Sequence, residues 1–349
     1  MPATAAFALT SLSPEFLLHV AVGTAPVVCF LATLVYLDSY KLVSMQAVIV
    51  VVAAGVGVAG ACYFANGWLI GVTGLDVGLY TRFAGPVVEE FGKALVIVIL
   101  MRTHRIGFLV DAAIFGFAVG TGFAIVENVF YQHLIPDAGL GTWIVRGFGT
   151  AIMHGGATAI FAMMGLAMLE RKRALGPIAL LPGYAIAVAL HAGFNHMYGS
   201  PRLSTLAVLV VLPPLLYWVF QRSDRAVAHW LGEGFDADSQ MLESIHSGSF
   251  ADSPAGRYLA TLKERFHGPV VADLLCYIRL YTELALRAKG ILMMRENGFE
   301  VAVDDETRAK FAELRFLQGS MGRTGMLAIH PLLHMSQKDL WQLYMLGST

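Results

Sequence analysis

Hydrophobic positions in the first two thirds of the chain are gathered into seven long runs, at about 15–37, 43–66, 86–101, 107–131, 143–169, 176–198 and 203–220. A helix rises 1.5 Å per residue, so a run of roughly 20 apolar residues spans the hydrocarbon of a bilayer. The third run is short, and its helix is expected to begin earlier, in the amphipathic stretch from Trp68 to Phe83. Beyond residue 220 the pattern changes. Residues 269–296 have helical periodicity, but Asp273, Arg279, Glu283, Arg287 and Lys289 forbid a span, and 304–318 reads as a second polar helix with acids at its start. Stretches rich in Gly, Ser and Asp at 232–239 and 246–256 are expected to be linkers. The pattern predicts an all-α polytopic membrane protein. Residues 1–220 form a bundle of about seven transmembrane helices, and residues 221–349 form a helical domain.

Composition supports this division. Of 349 residues 56% are hydrophobic and only 14% charged, with mean hydropathy +0.63, far from soluble averages. Residues 1–220 hold 10 Lys/Arg and 9 Asp/Glu, whereas the shorter 221–349 holds 14 and 16. A net charge of -1, with no basic run beyond Glu170-Arg171-Lys172-Arg173, offers no electrostatic footprint for a nucleic acid. Cys29 and Cys62 fall in apolar runs and Cys276 in a charged segment, so neither a disulfide framework nor a thiolate zinc site is expected. The first run lacks a basic leader and an obvious cleavage site and reads as a retained helix. Basic residues of the short loops then orient the bundle. Lys41, Arg102, Arg105, Arg171, Lys172, Arg173, Arg222 and Arg225 fall on one side, against Arg82 and Arg202 on the other. The N-terminus is expected outside and the C-terminal domain in the cytoplasm.

Ionisable residues inside the runs carry the chemistry, because a charge in hydrocarbon is costly and seldom kept without a role. Run three holds Pro86-Val-Val-Glu89-Glu90-Phe-Gly-Lys93, and run four ends Phe123-Ala-Ile-Val-Glu127-Asn128-Val-Phe-Tyr131. Run five holds Arg146 and His154, and run six His191-Ala-Gly-Phe-Asn195. Glu89 with Lys93, and His191 with Asn195, share helix faces at i,i+4, while Arg146, Thr150, His154 and Thr158 predict one polar stripe. Counting rise from the expected outer ends puts Glu89, Glu127 and Asn195 about 5 Å deep, His191 about 10 Å and His154 about 16 Å. Carboxylates, imidazoles and an amide thus converge in the outer half of one bundle. That set suits hydrolysis, with a carboxylate taking a proton from water and imidazole or amide groups holding the water and the oxyanion. The same donors could instead ligate a divalent metal, zinc being the natural candidate.

The ordered set Glu89-Glu90-x-x-Lys93, Phe123-x-x-x-Glu127-Asn128-x-x-Tyr131, His154 and His191-x-x-x-Asn195 resembles the PrsW family of bacterial intramembrane proteases, relatives of the CAAX prenyl endopeptidases. The resemblance covers roughly residues 80–200. It implies an integral protein of the bacterial cytoplasmic membrane that cuts a single-pass, membrane-anchored substrate near its extracytoplasmic face, an anti-sigma factor being the family's founding case. It further implies Glu89 as the water-activating base beside Glu90, His154 and His191 as catalytic or metal-binding, and Asn195 as oxyanion support. In a zinc-dependent enzyme the ligands would be Glu90, His154 and His191. Glu127 stands where the CAAX enzymes carry a histidine.

Plainer readings compete. Glu89 and Glu90 follow Pro86 in what would be a first helical turn, where acids are favoured by the helix dipole. Glu127 could simply accept from Tyr131 or Arg146, and Asp111, His104 and His196 are expected at solvated membrane edges. Gly116-x-x-x-Gly120 reads as close helix packing. A proton-coupled transporter would also concentrate Glu, His and Lys, although no inverted repeat is evident, and a non-catalytic scaffold could use the same helices. A retinal protein is excluded by the absence of lysine from run seven.

Overall fold

The computed structural model describes residues 14–171, 173–197, 200–299, 301–333 and 337–347, and every regular element among them is helical. In chain order the main ones are α1 (Pro14–Tyr36), α2 (Met45–Thr73), α3 (Val77–Arg102), α4 (Leu109–Leu134), α5 (Leu140–Val145), a π-helical turn (Arg146–Ala151), α6 (Ile152–Arg171), a 3-10 segment (Arg173–Leu180), α7 (Leu181–His196), α8 (Pro201–Ser247), α9 (Pro254–Thr261), α10 (Gly268–Glu296), α11 (Asp305–Ile329) and α12 (Gln337–Gly347), with short 3-10 turns at Ser249–Asp252, Leu262–Glu264 and His330–Leu332. Among the described residues six stretches are long and apolar enough to cross a membrane: α1, α2, α4, α5 through α6, Gly176–His196 and α8. The remaining expected span lies in α3, which is about 39 Å long by its 26 residues but carries Arg82, Glu89, Glu90, Lys93 and Arg102.

The chain divides into two compact units. The first comprises residues up to Asp38, Val43–Ile99 and Leu109–Phe220. At its centre α4 is buried continuously from Val110 to Ala124, and it can be so enclosed because its glycines let other backbones touch it. A Cβ on Gly120 would lie 2.4 Å from the carbonyl oxygen of His154 on α6, and one on Gly122 only 2.0 Å from that of Val52 on α2. Lipid supplies no hydrophobic drive between helices, so such close approach is how they cohere. Asp111 is not solvated as expected. It is wholly buried in the first turn of α4, where acids suit the helix dipole, and accepts from the Ala112 N–H at 3.0 Å.

The second unit comprises Ser39–Leu42, Leu100–Phe108 and Gln221–Thr349. Residues 232–239, expected as a linker, are instead helical within α8. The reason is packing. A Cβ on Gly234 would meet Lys289 Cε at 2.6 Å, so this glycine makes room for a side chain of α10 rather than breaking a helix. The second expected linker is a true break, with left-handed Gly248 (φ 80°), a 3-10 turn at Ser249–Asp252, and Ser253 capping α9. Lys289 is buried, pairs with Asp238 on α8 and lies 5.1 Å from the centre of the Trp230 ring. Phe108 meets Trp230 and Trp341 edge-on at 5.4 and 5.3 Å. Asp304 caps α11 by accepting from the Thr307 hydroxyl at 2.6 Å and from the Thr307 N–H at 3.0 Å, which together stabilise its carboxylate and hold its pKa below the usual range.

Two stability predictions follow from this packing. Gly120→Val should lower the thermal midpoint of the detergent-solubilised protein, at a cost of about 1–3 kcal/mol or more, whereas Gly57→Ala, with nothing within 4 Å of a new Cβ, should leave it unchanged. Lys289→Met should destabilise by up to about 3–5 kcal/mol because the Asp238 carboxylate loses a buried ammonium, and adding Asp238→Leu should recover part of the loss in chemical denaturation.

Candidate functional site

Helix α3 brings Glu89, Glu90 and Lys93 to the bundle just after Pro86, which has no N–H to give the carbonyl four residues earlier. Two side chains of α7 fasten α3 on either side of that proline. Asn195 donates its amide to the Thr81 carbonyl at 3.0 Å, and the Tyr184 hydroxyl donates to the Val87 carbonyl at 2.7 Å. The carboxamide expected to support an oxyanion is therefore engaged in positioning α3.

Lys93 is the hub. Its ammonium is fully buried, 2.6 Å from Glu90 Oε1, 2.9 Å from His154 Nδ1 and 4.4 Å from the centre of the Phe123 ring. It pairs with Glu90, three residues away, rather than with Glu89 on the expected i,i+4 face. An ammonium only donates, so His154 Nδ1 must accept and its Nε2 must carry the hydrogen. That hydrogen goes to Glu127 Oε2 at 2.6 Å. A carboxylate only accepts, so the 2.8 Å contact between His191 Nδ1 and Glu90 Oε1 places the His191 hydrogen on Nδ1. Its Nε2 is left as an electron-pair donor facing Glu89 Oε2 at 3.8 Å. The two imidazoles meet edge-to-face, with centroids 4.6 Å apart. Opposite tautomers of two adjacent histidines thus follow from one lysine and two acids.

The π-helical turn shapes the other end of the site. In a regular α-helix Arg146 and His154, eight residues apart, would point about 80° away from each other. The wider turn between them reduces that rotation, so the expected single stripe is re-aimed and both side chains reach Glu127. Arg146 Nη2 donates to Glu127 Oε1 at 3.2 Å and its Nε to Asn128 Oδ1 at 2.8 Å, and the guanidinium lies 3.8 Å from the centre of the Tyr131 ring. Asn128 in turn donates to the Gly23 carbonyl of α1 at 2.6 Å. Glu127 is therefore the acceptor for Arg146 and His154 together.

Two residues outside the expected set complete the arrangement. Asn66 on α2 donates to Glu89 Oε1 at 3.1 Å, and the hydroxyl of Tyr80, in the first turn of α3, donates to Asn66 Oδ1 at 2.9 Å. The available signal for Asn66 was an amide within an apolar run. Tyr80 had none, since a tyrosine at a helix start is ordinary.

Charge is unevenly satisfied across the cluster. Glu90 has Lys93 and Glu127 has Arg146, but among the described residues Glu89 has no Lys or Arg within ion-pair distance. Glu89 is also among the more open groups, with 19% of its side chain exposed and Glu127 at 23%, against 2% for Glu90 and 0% for His154. The surplus negative charge therefore sits where solvent or substrate can reach it. Ligand atoms of Glu89, His154 and His191 all lie within 4.8 Å of one another, a grouping able to hold a metal ion. This replaces Glu90 of the expected ligand set by Glu89. Glu90 stands behind His191, where a carboxylate fixes the tautomer of a ligating imidazole. The donors fit such an ion, since 3.8 Å between His191 Nε2 and Glu89 Oε2 is spanned by two bonds of about 2 Å. Both His154 nitrogens are engaged, by Lys93 and Glu127, so His154 would complete the set only by giving up one of those contacts.

The model of the PrsW family intramembrane metalloproteases matches residues 42–219, which contain every side chain of the cluster. No curated protein and no solved structure matches the chain. The protein therefore belongs to the PrsW family of intramembrane metalloproteases.

Proposed function

We propose that this protease hydrolyses a peptide bond of a single-pass, membrane-anchored protein near the extracytoplasmic face of a bacterial cytoplasmic membrane, with Glu89 as the base. The observation that carries the reading is Glu89 itself: a carboxylate without a fixed cation, facing the free electron pair of His191 across 3.8 Å. The placement of Glu127 and His191 near the ends of α4 and α7 and the bias of basic loop residues support the outer face and a cytoplasmic C-terminal unit, although Glu89, twelve residues into α3, lies deeper than the count from Pro86 gives. An anti-sigma factor is the substrate type suggested by the family resemblance.

Water held between Glu89 and His191 attacks the scissile carbonyl carbon as Glu89 takes its proton. Glu89 is the better acceptor because Glu90 and Glu127 are each neutralised by a fixed cation. The same proton then passes to the amide nitrogen, the C–N bond breaks, and a carboxylic acid and an amine leave. Glu90 and Lys93 hold the imidazoles in register throughout. In a metal-loaded enzyme Glu89 would serve as a ligand with His154 and His191 rather than as the free base, and the ion, zinc by its affinity for mixed imidazole and carboxylate donors, would supply Lewis acidity to the water and the scissile carbonyl.

Glu89→Gln should reduce cleavage by about 10²-fold or more with the protein still inserted at wild-type level, and His191→Ala should do the same. The measurement compares new N-termini in membrane proteomes of cells expressing wild type and each variant. Cuts near the outer ends of single-pass proteins should vanish in the variants; identical proteomes would instead favour a scaffold or a transporter. With purified protein, a chelator should stop cleavage and zinc should restore it. An undiminished rate in metal-free protein would assign the reaction to Glu89 and His191 alone.

A further inference from the structure

We propose that Asn66 and Tyr80 are positioning residues that aim the Glu89 carboxylate, an inference that rests on Glu89 being the base. A carboxylate with no cation beside it can rotate, and within the bundle the group that restrains it is the Asn66 amide on Oε1. That bond leaves Oε2 turned toward His191 Nε2. The orientation of Asn66 is itself determined. If the carboxamide were flipped, its oxygen would face the carboxylate, acceptor against acceptor, so the NH2 must point to Glu89 and Oδ1 to Tyr80. Tyr80 must then donate, and its 2.9 Å hydrogen bond completes a chain of fixed direction, Tyr80 to Asn66 to Glu89.

The local fold brings the three together. Gly74, left-handed at φ 64°, ends α2, and Asp76 caps α3 by accepting from the Leu79 N–H, so a short connection joins the two helices. Tyr80 is only 2% exposed although it lies near a helix end. Further along the two helices, a Cβ on Gly92 would lie 2.9 Å from Val58 Cγ1, so α2 and α3 stay close beside the site. Asn66 and Tyr80 thus reach from outside the acid and histidine motifs to the one carboxylate that those motifs leave without a cation.

The test is a double-mutant cycle on kcat and KM for a purified single-pass substrate, with melting temperature as the control for folding. Tyr80→Phe removes a single hydroxyl and Asn66→Leu removes the donor; each should lower kcat by about 10-fold or more, in the range of supporting residues around metal and catalytic groups, with KM little changed. Tyr80→Phe should cost nothing further in the Asn66→Leu background, because it acts through Asn66. Asn66→Asp, which keeps the shape but sets a carboxylate against Glu89, should be at least as damaging as Asn66→Leu. A readout separate from catalysis is zinc affinity, measured by competition with a chromophoric chelator, which should weaken about 10-fold in Tyr80→Phe. A wild type that takes up no zinc leaves the kcat cycle to decide. Wild-type kcat in both single variants while Glu89→Gln is inactive would overturn the proposal, and so would independent, additive losses. An active Glu89→Gln would instead show that the base was misassigned.

Discussion

A buried ammonium constrains the whole site. Lys93 has no exposed surface, and an isolated cation there would be prohibitively costly. Glu90 meets its charge and His154 accepts a further hydrogen bond. From those two contacts the rest follows in both directions. Through His154 the hydrogen-bond order passes to Glu127, Arg146, Asn128 and the backbone of α1. Through Glu90 it passes to His191, whose Nε2 is turned on Glu89. A neutral residue at position 93 would leave Glu90 without its cation and His154 Nδ1 without its donor, so that the two imidazoles would be held by Glu90 and Glu127 alone.

This explains why two adjacent glutamates serve different ends. Glu90 is consumed by structure: it neutralises Lys93 and holds His191. Glu89 lies one residue, hence about 100°, around the helix. It escapes the lysine, has no fixed counterion and remains partly open. Separation of roles within a pair of acids needs only the angular step of a helix and one cation on the correct face. The glycine-mediated contact of α4 with α6 supports the arrangement, because Gly120 packs directly on the backbone of His154.

Much of this was legible in the sequence. Apolar runs located the membrane helices because length and hydropathy are imposed by the bilayer rather than by tertiary detail, and the Gly116 and Gly120 spacing announced a close contact for the same reason. Acids and histidines stood out because charge within a span is rarely retained idly. What the sequence did not disclose depended on geometry between helices. The pairing of Lys93 with Glu90 rather than Glu89 is a choice between two helix faces that spacing alone leaves open. The π-helical turn at Arg146–Ala151 alters the register that an ideal helix would give. Asn195 had the residue type for an oxyanion and the position for a backbone clamp. Gly232 and Gly234 had the composition of a linker, yet Gly234 is a packing contact inside α8.

The central claim is that Lys93, Glu90 and Glu127 together set opposite tautomers in the two histidines, so that His191 presents Nε2 to Glu89. Imidazole 15N chemical shifts of metal-free protein in lipid, assigned with His154→Asn and His191→Asn variants, test it most directly. The account predicts hydrogen on Nε2 of His154 and on Nδ1 of His191, and loss of the fixed Nδ1 hydrogen of His191 in Glu90→Leu. The same tautomer in both rings, or a His191 tautomer unaltered by Glu90→Leu, would contradict it.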